Sequence, residues 1–194
     1  GGRHLSIYSI SSTNHDTSMQ LDFVYRDDGD KEDYFTCSFA GRVQQRPVFT
    51  RRQQERSVSK LSPMWETSSS SLPQLICVAG QTHVIHVLDT VRRSLLRSLI
   101  GHGGPIFDLK VSPVNEWLLL SASMDWTCRL WNLRTGTQIA IFGGHEGHRD
   151  SVYTLSWHVS GERFASGGND RSVKIWELSE RVRDAIRASI DAAD

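Results

Sequence analysis

The chain carries no surplus of charge, little cysteine and no long apolar run. Its 22 Lys and Arg are balanced by 22 Asp and Glu. That balance argues against direct sequence-specific nucleic-acid binding as the main role, because phosphate recognition draws on a cationic excess. Cys37, Cys77 and Cys128 stand singly and far apart, with no CxxC pair, so neither a zinc site nor a disulfide framework is indicated. They read as small buried residues in a reducing compartment. No stretch approaches the length that crosses a bilayer, and no secretory signal is visible. The expected class is therefore soluble and intracellular, with no membrane partner, no cofactor and no metal. The opening Gly1-Gly2-Arg3 lacks an initiator methionine, which reads as a trimmed start. Tryptophan, by contrast, is plentiful: six residues in 194 supply the aromatic bulk for a substantial core.

The chain repeats itself. Gly101-His102 is followed by Ser121, Asp125 and Trp131, and Gly147-His148 by Ser166, Asp170 and Trp176. The copies lie about 45 residues apart, the period of WD40 blades. Within each copy the short runs alternate as strands do: Ile106 to Val111, Val152 to Trp157, Val173 to Trp176. Turn formers such as Thr135-Gly136 and Asn169-Asp170 separate them. The repeat places His in the loop entering an inner strand, Ser on the second strand, Asp in the following turn and Trp on the third strand. Those four can form a relay, indole to hydroxyl to imidazole to carboxylate, in which each buried polar group finds a partner. Gly168 excludes the nearer alternative in the second copy and leaves Ser166; by symmetry Ser121 is chosen over Ser123. A catalytic reading of His148 and Asp170 is disfavoured, because the repeated spacing ties them to blades and no nucleophile or phosphate-loop motif is present. The chain is not expected to be an enzyme.

An eroded copy precedes these two, with Val78 in the Ser place, Thr82 in the Asp place and Tyr34 to Phe39 as its inner strand. His4 to Ile10 and Met19 to Tyr25 read as the last strands of a still earlier blade. The expected fold is all-β: an incomplete WD40 β-propeller, about three to four of seven blades. Its parts are the last strands of a preceding blade (1–27), a degenerate blade (33–100) interrupted by a long disordered insertion (41–73), a WD40 blade (104–143), a partial WD40 blade (150–178) and a C-terminal helix (179–191). The insertion is rich in Ser and Arg; it is either a solvated loop or a grip for nucleic acid or an acidic partner. In the helix, Ser179 is the candidate cap, and Val182, Ile186 and Ile190 form an apolar stripe that packs on its own domain or docks a partner helix.

One segment is more specific than the blade pattern. Phe142-Gly143-Gly144-His145-Glu146-Gly147-His148-Arg149-Asp150 has a longer loop before Gly-His than ordinary repeats. With Ile76-Cys77-Val78-Ala79-Gly80, Gly101-His102-Gly103 and an acidic run leading to Phe35-Thr36-Cys37, it resembles the embryonic ectoderm development and extra sex combs family of Polycomb proteins. The resemblance implies a nuclear, non-catalytic scaffold and methyl-lysine reader of histone H3 in a Polycomb repressive complex 2 that acts in transcriptional repression. The implied partners are the histone methyltransferase catalytic subunit, the histone H3 tail and other Polycomb subunits. A generic WD40 adaptor without methyl-lysine preference is the alternative, and it needs neither the extended loop nor Phe35.

The resemblance places Phe35 in a trimethyl-lysine cage, where the family has tyrosine, with the remaining cage aromatics mapping outside this chain. A quaternary ammonium has no hydrogen bond to donate, so aromatic faces recognise it. Tyr34 should point the other way, into the core. The repeat alignment puts Phe107 and Tyr153 in the register of Phe35; either they line the same mouth and the peptide path, or they pack between blades. The acidic run Asp27, Asp28, Asp30, Glu32 and Asp33 should sit on the mouth face, attracting a basic tail or simply solvated.

Overall fold

The computed structural model describes residues 4–13, 16–26, 32–40 and 75–191. Asp27, Asp28, Asp30 and the insertion at 41–73 lie outside the described residues. Strands β1 (His4–Thr13) and β2 (Asp16–Arg26) form an antiparallel two-stranded sheet. Next comes a four-stranded meander of β3 (Tyr34–Ala40), β4 (Leu75–Gly80), β5 (Val84–Asp89) and β6 (Ser94–Ile100). A second meander follows in β7 (Ile106–Val111), β8 (Leu118–Ser123), β9 (Cys128–Asn132) and β10 (Thr137–Phe142). A three-stranded sheet of β11 (Val152–Trp157), β12 (Arg163–Gly168) and β13 (Val173–Glu177) leads into helix α1 (Glu180–Asp191).

The sheets pack face to face, and the period-2 alternation of side chains decides what each interface contains. Toward β1–β2, the β3–β6 sheet turns Tyr34, Ile76, Val78 and Leu88 against Leu5, Ile7 and Tyr25. Its other face, including Leu75, Cys77, Ala79, Ile85 and Val87, meets Ile106, Leu109, Leu119 and Trp131 of the next sheet. That sheet in turn packs Leu118, Leu120, Ala122 and Leu130 against Val152, Leu155 and Phe164. Strands β4 and β8 are buried at every position because both of their faces are covered. Phe39, paired with Ile76 on the face turned toward β1–β2, is exposed, as are Val173 and Ile175 of the last sheet, beyond which no further sheet lies among the described residues.

The hairpins have local causes. Asp89 and Asn132 each end a third strand, and each accepts two backbone N–H groups of its turn through one side-chain oxygen. Gly136 has φ +79°, the left-handed region where a Cβ is unfavourable. At α1 the Ser179 carbonyl accepts the N–H groups of Val182 and Arg183. Val182 and Ile186 pack on the Phe164 cluster, so this much of the apolar stripe is used within the chain; the Ile190 side chain lies outside what is described. Of the three cysteines read as buried, Cys37 is exposed because its position on β3 turns away from the core shared with the next sheet; burial pushes the thiols of Cys77 and Cys128 up to about 12, so both stay protonated at neutral pH. No described helix is long and apolar enough to cross a membrane.

Phe164 is the hub of the last interface, with Phe142 at 4.8 Å, Trp157 at 5.7 Å and Trp176 at 6.0 Å between ring centroids. Phe164→Ala should cost about 3–5 kcal/mol of stability, measured by equilibrium denaturation. A loss below ~1 kcal/mol would mean that the interface does not carry the fold.

Candidate functional site

In both regular sheets four side chains form one hydrogen-bonded chain. The Trp131 indole donates to Ser121 Oγ at 2.9 Å, Ser121 lies 2.6 Å from His102 Nε2, and His102 Nδ1 lies 2.8 Å from Asp125. Ser121 accepts from the indole and reaches the Arg129 carbonyl only at 3.5 Å, so Nε2 is the nearer acceptor for its proton, and Nδ1–H donates to the carboxylate; burial favours this neutral imidazole. The second copy repeats the pattern: Trp176 to Ser166 at 2.8 Å, Ser166 to His148 Nε2 at 2.8 Å, His148 Nδ1 to Asp170 at 3.0 Å. The aspartates also bind loop backbone, Asp125 accepting from Gly103 N–H and Asp170 from Arg149 N–H, both at 2.9 Å. Ser123 has other work: its hydroxyl donates to the Gly104 carbonyl at 2.9 Å.

The connectivity matches that of a Ser-His-Asp triad, but the chemistry does not follow. Ser121 is wholly buried and its lone pair is held by an indole N–H, whereas a nucleophile must reach a substrate carbonyl. Burial pulls the His102 pKa below its ordinary 6.5; the Asp125 carboxylate pulls against this, and the charge of Arg129 adds to the lowering. Burial opposes ionisation of Asp125, yet hydrogen bonds from His102, Thr127 and Gly103 hold it well below the ordinary carboxylate range. Asp170 is held low chiefly by the Arg149 N–H, with Ser172 and His148 adding to it.

The β3–β6 sheet has no such relay; a clamp of opposite polarity takes its place. Glu32, in the loop entering β3, is 1% exposed. Its Oε2 accepts the Thr82 N–H at 3.0 Å and the Thr82 hydroxyl as well. In the regular sheets the entering loop donates and the turn accepts; here the loop accepts and the turn donates. Gln81 N–H completes the join on the Asp33 carbonyl at 3.1 Å. The approach is so close that a Cβ on Gly80 would lie 1.8 Å from the Asp33 carbonyl oxygen. Glu32 therefore departs from the expected solvent-facing acidic loop: its carboxylate is consumed within the fold. Asp33 is exposed.

At the start of each inner strand the ladder breaks in the same way. Tyr34 pairs with Gly80 and Thr36 with Ala79, leaving Phe35 as the extra residue. Ile106 and Asp108 face Ser123 and Ala122, leaving Phe107. Val152 and Thr154 face Gly168 and Gly167, leaving Tyr153. Such bulges re-aim a side chain, and all three aromatics leave the inter-sheet core. Phe35 is 41% and Tyr153 48% exposed, with Phe107 half-buried between them. Phe35 and Phe107 lie near-parallel with centroids 5.9 Å apart, and Phe107 meets Tyr153 edge-on at 5.0 Å. Tyr34 turns inward beside Tyr25 and His86.

Three features escaped sequence reasoning. The bulges leave no compositional trace. The Glu32–Thr82 clamp had a signal, since a donor in the Asp place asks for an acid in the entering loop. The third is Asp108, which accepts Leu155 N–H at 2.8 Å and stitches inner strand β7 to β11.

Repeated four-stranded sheets, inner-strand bulges and Trp-Ser-His-Asp relays define a WD40 β-propeller chain, and the WD domain, G-beta repeat family matches residues 93–132 and 136–177. Within that class, its relatives are the Polycomb esc and FIE proteins. The Polycomb protein esc of Drosophila melanogaster is 34% identical over 161 residues, 83% of this chain and 32% of that protein. Polycomb group protein FIE1 of Oryza sativa subsp. japonica is 32% identical over 166 residues, 82% of this chain and 43% of that protein. A chain of the Chaetomium thermophilum Polycomb Repressive Complex 2 bound to GSK126 matches with a TM-score of 0.70 and 27% identity, covering 92% of this chain and 34% of that one. A chain of ctPRC2 in complex with H3K27me3 and H3K27M matches with a TM-score of 0.69, 26% identity and coverage of 92% and 32%. The chain thus spans less than half the length of the relatives it matches.

The relays make stability sensitive to acid. Because the folded pKa of His102 is depressed, the unfolded chain binds a proton first as pH falls through 6.5, and stability declines. The depressed Asp125 adds a further loss as pH falls below 3.8. Stability should drop between pH 7 and 5, with a shallower slope in His102→Gln. Equal slopes in denaturant titrations of the two proteins would exclude His102 as a source.

Proposed function

We propose that this chain belongs to a non-catalytic scaffold and methyl-lysine reader of histone H3 in a Polycomb repressive complex 2-type histone methyltransferase, acting in transcriptional repression in the nucleus. The observation that carries the reading is Phe35, an aromatic ring lifted out of the core by a bulge and exposed on the first residues of an inner strand. A trimethylammonium group attracts such a face electrostatically and requires no hydrogen-bond acceptor. Phe107 and Tyr153 continue the aromatic row beside Phe35. Asp33, together with Asp27, Asp28 and Asp30 of the same run, contributes negative potential that speeds encounter with a basic tail. The other cage walls are contributed from outside this chain.

The similarity to Polycomb esc and FIE proteins, and to a chain of ctPRC2 in complex with H3K27me3, supports this reading. The partners are then the catalytic methyltransferase subunit, the H3 tail and the other Polycomb subunits. Sequence-specific nucleic-acid contacts and membranes have no part in it. The non-catalytic role is supported by the relays, whose serines are buried and fully engaged.

The test is binding of a trimethylated H3 peptide and its unmethylated twin to the full-length protein and to Phe35→Ala. A desolvated cation–π contact is worth about 2 kcal/mol, so Phe35→Ala should weaken the trimethylated peptide roughly 30-fold and leave the twin nearly unchanged. A folded parent with no methyl preference would leave a generic WD40 adaptor as the better reading.

A further inference from the structure

We infer that Phe107 and Tyr153 are positioning residues for Phe35, holding its ring in the orientation that receives a methylated ammonium; this rests on the reader function proposed above. An exposed aromatic side chain with no neighbour samples several rotamers and loses that freedom when a ligand binds, which weakens affinity. Phe35 has a neighbour. Its ring lies within 15° of parallel to Phe107 at 5.9 Å, an offset arrangement that aromatic pairs prefer. Phe107 is braced in turn by the edge-on ring of Tyr153 at 5.0 Å.

The backbone beneath this row is fixed independently of the rings. Each aromatic sits on its own bulge. The strands bearing Phe107 and Tyr153 are joined by Asp108, a buried carboxylate that accepts Leu155 N–H. At the other end the Glu32–Thr82 clamp fixes the loop that enters the strand of Phe35. Tyr153, Phe107 and Phe35 therefore form a buttress running across three sheets, with Phe35 at its end. Rings set side by side in a row support one another, whereas a cage requires faces turned toward a common centre. The row thus points to support for Phe35 rather than to peptide contact by Phe107 or Tyr153.

The test uses the full-length protein with 4-fluorophenylalanine in place of Phe35, alone and combined with Phe107→Leu or Phe107→Tyr. Phe107→Leu keeps apolar bulk but removes the ring; Phe107→Tyr keeps the ring. Phe107→Leu should shift and broaden the fluorine resonance and weaken the trimethylated H3 peptide about 3–10-fold, while the unmethylated twin and the thermal midpoint change little. Phe107→Tyr should restore both the resonance and the affinity. An unmoved resonance, a moved resonance with unchanged methyl preference, or an equal loss for both peptides would each overturn the inference. Phe35→Ala run alongside separates the two levels. Methyl preference lost with Phe35→Ala but kept with Phe107→Leu sinks only the buttress, whereas a parent without methyl preference sinks both.

Discussion

A serine hydroxyl buried between two sheets is the constraint on which each regular blade depends. Ser121 and Ser166 each take one proton from an indole and give one to an imidazole. The imidazole passes the order outward to an aspartate, which gathers the backbone N–H of the entering loop. A buried polar group without a partner costs roughly 1–3 kcal/mol, so the arrangement tolerates no missing member. The benefit is geometric. The relay pins the loop that delivers the inner strand, and the inner strand carries a bulged aromatic at its start.

The β3–β6 sheet reaches the same end without the relay. Its inner strand is delivered by a loop whose glutamate is buried, and the turn that answers it offers a hydroxyl and an N–H where the regular sheets offer a carboxylate. Donor and acceptor have changed sides, and the join between loop and turn survives. Gly80 is part of that solution, because any side chain there would collide with the Asp33 carbonyl. A sheet that lacks the relay's His and Asp therefore still has its entering loop and its turn joined.

The fold class was legible because a relay needs four residue types at fixed offsets. Gly-His, Ser, Asp and Trp recur in that order, and the alternation of Ile106 to Val111 or Val152 to Trp157 betrays strands between them. The candidate site was legible only in part. Register arithmetic aligned Phe35, Phe107 and Tyr153, but it did not show that the rings leave the packing between sheets. The bulges do that, and they follow from ladder pairing and leave no mark on composition. Glu32 was misplaced for a similar reason: within a run of acids its charge reads as solvated, and only the turn at Thr82, 50 residues away in sequence, makes its burial favourable.

The bulges also explain how the inner strands carry aromatics at their starts without weakening the interfaces. In a regular strand, an aromatic at these positions would enter one sheet interface and displace Val78, Leu109 or Leu155, each of which packs with little or no exposure. One extra residue on the inner strand places the ring outside that alternation, and the next residue resumes it. Thr36, Asp108 and Thr154 pair again immediately after the break. Core and bulge are thereby separate positions: phenylalanine stands at two of the bulges and tyrosine at the third, beside sheet interfaces that pack the same way. The three bulged aromatics are therefore side chains that the packing between sheets does not use.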